Sequence, residues 1–254
     1  MQRSFTYTLL ITCFILLASC KTNYVPTSFK TGNISVSSNE NQLDSQIVQM
    51  YLPFKNTLEK DMGRVISISE KEMFKERPES YLTNFLADLL LYEAKVEAEA
   101  NGLMLNATIS YFNYGGIRTF LPRGEITVGN IFELMPFENE MVFIQLSGNQ
   151  IQEFLNMIAG KGGDSVGGVK FVISNEKAKN IQVDGAKLNP NEKYWVVTND
   201  YVAEGGDGLT VFIQRSELVK SGRKIRDLII KNLEMRHKKG EIIRVELDGR
   251  ISNE

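Results

Sequence analysis

One helix constrains this fold more than any other segment. ESYLTNFLADLLLYEAKVEA, Glu79 to Ala98, carries Leu82, Phe85, Leu86, Leu89 and Leu90 on one face at α-helical spacing. A face this apolar must be buried against a sheet or another helix. The segment that follows, MLNATISYF, reads as a buried strand. GRVISISE alternates like a strand, and EMVFIQLSG, GGVKFVIS, KNIQVDG and KYWVVTN are strands separated by turn residues. QIVQMYLPFKNTLEKDM has helical spacing with a proline interruption, TVGNIFELMPF predicts a short helix ended by Pro136, and GNQIQEFLNMIAG and GRKIRDLIIKNLEM predict two more helices. IIRVEL reads as a last strand. Helices early, middle and late around a block of strands predict an α+β fold, not the regular alternation of a doubly wound sheet.

The first residues stand outside that domain. MQRSFTYTLLITCFILLASCK has a cationic start at Arg3, an apolar run from Leu9 to Leu17, and small residues before a cysteine. The run is shorter than the roughly 20 residues a spanning helix needs, and it reads as a secretory signal. Leu17-Ala18-Ser19-Cys20 resembles a bacterial lipobox, which makes residues 1–19 a signal peptide and Cys20 the lipidated first residue. An ordinary signal cleaved nearby is the alternative. Residues 20–42, rich in Asn, Ser and Thr, read as a flexible tether to a domain over residues 43–254. The expectation is an exported bacterial lipoprotein, membrane-anchored and periplasmic or cell-surface. Cys13 and Cys20 are the two cysteines, so cleavage and acylation leave no disulfide and the core alone must hold the fold.

Several chemistries are excluded. Lys+Arg 29 against Asp+Glu 31 gives no basic excess, which argues against a nucleic-acid polymer as partner. The one histidine, His237, is flanked by cations at a predicted helix end. Metal-ligand spacings such as His-x-x-x-His, Asp-x-His and Cys-x-x-Cys do not occur, so no metal site and no catalytic residue is assigned. A Gly-x-Ser-x-Gly elbow and a phosphate-binding Gly-x4-Gly-Lys-Ser/Thr loop are also missing. GKGGDSVGG, Gly160 to Gly168, does not fit that phosphate spacing and reads as a mobile loop.

Two loops have the composition of ligand contacts. NYGGIRTF, Asn113 to Phe120, follows a strand. Gly115 and Gly116 can take positive φ and let the backbone approach a ligand. Asn113 offers donor and acceptor together, and Arg118 offers a planar fork for phosphate or carboxylate. A hairpin turn with a surface arginine explains the same residues. TNDYVAEGGDGLTVF, Thr198 to Phe212, also follows an apolar strand and holds Asp207 among glycines. An aspartate so held can chelate a ribose diol, or it can form an Asp-Gly turn. Phe137 and Tyr201 lie near the two loops; they are either core residues or flat faces for a planar base.

NYGGIR, RGEITVGNIFELMPFENEMVFIQLSGNQIQEFL, GGVKFVIS and YWVVTNDYVAEGGDG, in that order, resemble the C-terminal domain of the 5'-nucleotidase family. The resemblance covers most of residues 75 to 215 and implies a single domain of mixed sheet with packed helices. It implies that Phe137 and Tyr201 stack a base between them, that Asn113 faces the base, that Asp207 holds the ribose hydroxyls and that Arg118 reaches toward phosphate or ribose. The family pattern Arg-x-x-Glu-Ser becomes Arg77-Pro78-Glu79-Ser80 here, one residue closer. In LTNFLAD, Thr83 replaces the family's glycine, and Asn84 and Asp88 read as structural. In the family this domain presents a nucleotide to an N-terminal metallophosphoesterase domain with two metal ions. Lys21 to Gln42 are too few for such a domain, which needs roughly 50 residues. The sequence therefore predicts the nucleotide-binding half of a split 5'-nucleotidase, with divalent metals in a separate metallophosphoesterase chain and none here. The alternatives are a stand-alone nucleotide- or nucleoside-binding lipoprotein, and a remnant that has lost its ligand.

Overall fold

The computed structural model describes residues 28, 30–33 and 44–254; Cys20, the signal peptide and most of the tether lie outside the described residues. The chain divides into two units, of which the second, Tyr51–Glu254, is compact and carries the fold. Helix α1 (Ser45–Met62) continues through Pro53. The remaining elements, all in the second unit, are β1 (Val65–Ser69), α2 (Tyr81–Ala100), β2 (Thr108–Phe112), β3 (Gly124–Thr127), α3 (Val128–Leu134), β4 (Glu140–Ser147) and α4 (Gly148–Gly160). They continue with β5 (Ser165–Gly167), β6 (Val169–Ser174), β7 (Lys177–Val183), β8 (Ala186–Lys187), β9 (Lys193–Asn199) and α5 (Asp200–Ala203). Last come β10 (Glu217–Lys224), α6 (Ile225–Lys238) and β11 (Ile251–Asn253).

A mixed five-stranded sheet, ordered β10-β4-β9-β2-β5, forms the centre. Its β2–β9 pair is parallel and its other pairs antiparallel. Both faces are covered, and the side chains of β4 divide between them with the strand period of two. Met141 and Phe143 enter a core shared with α2, α3 and α6. Val142, Ile144 and Leu146 enter a second core, shared with α4 and the four-stranded sheet β11-β6-β7-β8. A small ribbon, β1 with β3, joins the first core through Ile66 and Ile126.

The helix that opened the sequence argument is α2, and all five of its predicted core residues are buried. Burial of a large apolar side chain stabilises by about 1.5–3 kcal/mol, so this stripe is a major part of the first core. Ser80 and Thr83 form a reciprocal capping box that fixes its start. Ser110 Oγ donates to Ala87 O at 2.6 Å and Ser165 Oγ donates to Thr83 O at 2.7 Å, tying β2 and β5 to the helix backbone. Asn84 donates to Glu79 Oε2 at 3.1 Å. Asp88 receives Arg250, whose guanidinium also bonds Asp248 and Val166 O, so the C-terminal segment is fastened to α2 and the central sheet.

Three local expectations are corrected. IIRVEL is not a strand: Ile243 makes only an isolated bridge to Ser69, and the last strand is β11 beyond Gly249. GKGGDSVGG is not a mobile loop, because Asp164 and Ser165 are buried and β5 pairs with β2. The edge strand β10, ELVKSGRK, went unread because Gly222, at φ +69, and a register shift break its alternation.

Candidate functional site

β2 and β9 run parallel as neighbours, so their C-terminal ends emerge side by side at one edge of the sheet. NYGGIR follows the first and NDYVAEGGDG the second. Asn113, directly after β2, is 4% exposed. Its Nδ2 donates to Asp207 Oδ2 at 2.6 Å, and its Oδ1 accepts from Asn199 Nδ2 at 3.0 Å. Asn199 in turn caps α5, its Oδ1 accepting from Val202 N at 2.8 Å. Two asparagines and one aspartate thus lock the two loops together.

Tyr201, at the start of α5, donates its hydroxyl to Asp207 Oδ1 at 3.1 Å, and the residue is 51% exposed. Asp207 is exposed and sits at φ +54, a left-handed conformation that aspartate tolerates better than most residues. Each of its carboxylate oxygens accepts one protein hydrogen bond and keeps lone-pair capacity for another donor. Lys161 Nζ donates to the Asp207 carbonyl at 3.1 Å.

Gly116 and Gly206 each let a side chain pack directly on the backbone. Gly115 and Gly116 do not have positive φ; the left-handed residues are Gly205, Asp207 and Gly208 in the second loop. A Cβ on Gly116 would stand 2.8 Å from Asn113 Oδ1. A Cβ on Gly206 would stand 2.4 Å from Tyr201 Cε1, so the tyrosine ring rests directly on that backbone.

Arg118 is exposed, and its Nη1 donates to Gly115 O at 3.2 Å. Phe137, 51% exposed, lies in the connection from α3 to β4. That connection is tied at one end to the first loop, Arg118 N donating to Leu134 O at 2.9 Å. At the other end Glu140 N donates to Asp200 Oδ1 at 3.1 Å, beside Tyr201. The structure therefore joins Asn113, Gly115, Gly116, Tyr201 and Asp207 in one network. Arg118 joins it through its own bond to Gly115 O, and Phe137 lies in the connection tied at Leu134 and Glu140.

A family model described as 5'-nucleotidase, C-terminal domain, matches residues 61–214, more than half of the chain. The chain belongs to the 5'-nucleotidase C-terminal domain family. It is 31% identical over 219 residues to the trifunctional nucleotide phosphoesterase protein YfkN of Bacillus subtilis, covering 78% of this chain and 14% of that protein. It is 30% identical over 169 residues to an apyrase of Tabanus yao, covering 58% of this chain and 30% of that protein. The chain thus spans under a third of the length of both relatives. Its fold is shared with the 5'-nucleotidase precursor of Thermus thermophilus, at a TM-score of 0.65 and 24% identity, over 83% of this chain and 43% of that one.

Around this 5'-nucleotidase C-terminal domain site lie further charged groups: Arg77, which the family pattern raises, and Lys75 and Asp164, which sequence reading did not single out. Lys75 Nζ donates to the carbonyls of Tyr114 and Ile117. Its pKa is held below the usual lysine value by burial and by Arg118 and Arg77, against the opposing pull of Asp164. Arg77 Nε donates to Gly163 O at 2.9 Å. Asp164, 3% exposed, accepts from Tyr111 Oη at 3.1 Å. Burial pushes the Asp164 carboxyl up to about 6, although bonds from Ser165 and Tyr111 pull the other way. Burial and then Asp164 raise the Tyr111 hydroxyl well above its ordinary value. Asn199 had a readable signal, an asparagine between a strand and a short helix. Lys75 had none, since its partners lie about 40 residues on. Among the described residues no group of three or more His, Cys, Asp or Glu is placed to hold a metal ion.

Proposed function

We propose that this domain binds the nucleoside part of a nucleotide at the joined loops, in nucleotide catabolism. Tyr201 and Phe137 supply faces for the base, the free lone pairs of Asp207 take the ribose hydroxyls, and Arg118 draws the anionic end. Hydrolysis of the phosphate ester belongs in this reading to a metallophosphoesterase on a separate chain, which carries the divalent metals. What this chain's residues contribute is orientation: a bound, aligned substrate converts an encounter into an effectively unimolecular step. Export and anchoring through Cys20 belong to the same proposal.

The observation that carries the reading is the exposed Asp207 carboxylate, fixed by Asn113 and Tyr201 yet able to accept two more donors. A diol is the ligand group that matches it. Support also comes from kinship with a protein described as a nucleotide phosphoesterase. Calorimetry with AMP and adenosine tests the reading. Both are expected to bind, and Phe137→Ala should weaken both by about tenfold, the scale of one stacking contact. Absence of binding by both at millimolar concentration would overturn it. Turnover of AMP should appear only on mixing with an exported metallophosphoesterase.

A further inference from the structure

The loop Asn113–Arg118 hangs from the end of β2 with few bonds of its own. Gly116 N donates to Asn113 O at 2.9 Å and Arg118 N donates to Leu134 O at 2.9 Å. Asn113 is tied to Asp207 and Asn199, and Arg118 Nη1 to Gly115 O, while the attachments of the Tyr114–Ile117 stretch outside the loop converge on a segment almost 40 residues earlier in the chain. Lys75 Nζ donates to Tyr114 O at 3.0 Å and to Ile117 O as well, so one ammonium bridges the two ends of the Tyr114–Gly116 turn. Tyr114 Oη donates back to Lys75 O at 3.1 Å. The Lys75 ammonium also lies 4.3 Å from the centroid of the Tyr114 ring, and the Arg77 guanidinium lies at the same distance. The neighbouring Met73 is itself fixed, exchanging backbone bonds with Leu121 at 2.8 and 3.0 Å. The lysine therefore reaches, two residues beyond this backbone bridge, onto the turn that places Asn113 and Arg118.

We propose that Lys75 is a positioning residue for the nucleotide site, its ammonium setting the turn that presents Asn113 toward Asp207 and Arg118 toward the ligand's anionic end. The consequence for ligand rests on the nucleotide-binding reading above; the consequence for the loop does not. Two carbonyl bonds from a cation are strong hydrogen bonds, and the reciprocal Tyr114 bond makes the pair act as a unit. Nothing else in the described residues bridges Tyr114 O and Ile117 O. Removing the ammonium takes away the bridge between the two ends of the turn and leaves it the Tyr114 bond to Lys75 O and the Arg77 guanidinium against the Tyr114 ring, while both cores of the domain stay intact.

The full chain is compared as wild type, Lys75→Met and Lys75→Arg, by amide hydrogen exchange and by calorimetry with AMP. Lys75→Met should speed exchange at Gly116 and Arg118 by about tenfold, leave α2 and β4 unchanged, and weaken AMP by about tenfold, the scale of one charged hydrogen bond. Lys75→Arg, which keeps a cationic donor, should restore most of both. Unchanged exchange at Gly116 and Arg118 in Lys75→Met overturns the proposal whatever AMP does. Faster exchange with unchanged AMP affinity overturns the positioning role. If the wild type binds no AMP, the nucleotide reading falls, and the exchange data alone decide whether Lys75 sets the turn.

Discussion

Asn113 Nδ2 donates to Asp207 Oδ2 at 2.6 Å, joining side chains 94 residues apart. The bond makes each residue the support of the other's loop, so their contributions to binding cannot be independent. Asn113→Ala leaves the Asp207 carboxylate held by Tyr201 alone; Asp207→Ala leaves Asn113 Nδ2 without its acceptor. In a double-mutant cycle read by AMP affinity, the combined loss should fall short of the summed single losses by about 1–2 kcal/mol. Simple additivity would mean that the two side chains reach the ligand separately.

Gly206 supports the Tyr201 ring. Any side chain there meets Tyr201 Cε1 at 2.4 Å and Cδ1 and Cζ at 2.6 Å, and the obstacle is a ring that is also bonded to Asp207. Gly206→Ala must rotate the ring or shift the loop, at an overpacking cost of about 1–3 kcal/mol. We expect adenosine affinity to fall about as far as in Tyr201→Ala, the loss of one stacked face being on the order of 1–3 kcal/mol. Adenosine titrations of the two variants check this; a Gly206→Ala protein that binds as wild type would remove Tyr201 from the site.

How far the sequence reaches is visible in these same residues. Period and turn chemistry locate α2, β2, β4 and β9, because each buries a regular apolar pattern that nothing else interrupts. The parallel pairing of β2 with β9 is not local, yet it brings Asn113 to Asp207. The resemblance to the family supplied that neighbourhood where periodicity could not. The family pattern did not supply Lys75 or Asp164: a lysine in KERPES and an aspartate in a glycine-rich run look solvated until the tertiary fold closes around them. Gly115 and Gly116 show the reverse limit. The sequence reads them as letting the backbone approach a ligand; Gly116 packs closely on Asn113, while the positive φ inferred for both belongs to Gly205, Asp207 and Gly208.

Arg250 is 8% exposed and bonds Asp88, Asp248 and Val166 O. Burial alone would lower the guanidinium pKa; the hydrogen bonds to Asp88 and Asp248 reverse that and leave it raised. The Asp248 carboxyl is lowered, first through its hydrogen bond to Arg250. Arg250→Met fills similar volume but strands two carboxylates and a carbonyl. Asp88 and Asp248 are half exposed, so water recovers part of the loss, and the expected cost is about 2–3 kcal/mol, below that of a fully buried pair. Urea unfolding measures it. A cost under about 0.5 kcal/mol, typical of surface substitutions, would show that the C-terminal segment is not fastened through this residue.

Asp164 gives stability a definite sign with pH. Its folded pKa is about 6 against an ordinary 3.8, so between those values the folded chain holds a proton that the unfolded chain has released. Stability then decreases as the pH rises through this window, because the unfolded state binds fewer protons. The contribution is complete below the unfolded value and gone above the folded one. Its size is on the order of 2–3 kcal/mol at 1.36 kcal/mol per unit. Arg77 and Lys161 favour the anion, but burial outweighs them, and Tyr111 stays protonated throughout because its own pKa is raised. Asp164→Asn removes the titration while keeping an acceptor for Tyr111. The difference in unfolding free energy, wild type minus Asp164→Asn, should therefore fall by about 2 kcal/mol from pH 4 to pH 7. Other groups cancel in that difference. A flat difference would mean that Asp164 ionises as it does in water, and that the turn between α4 and β5 opens to solvent.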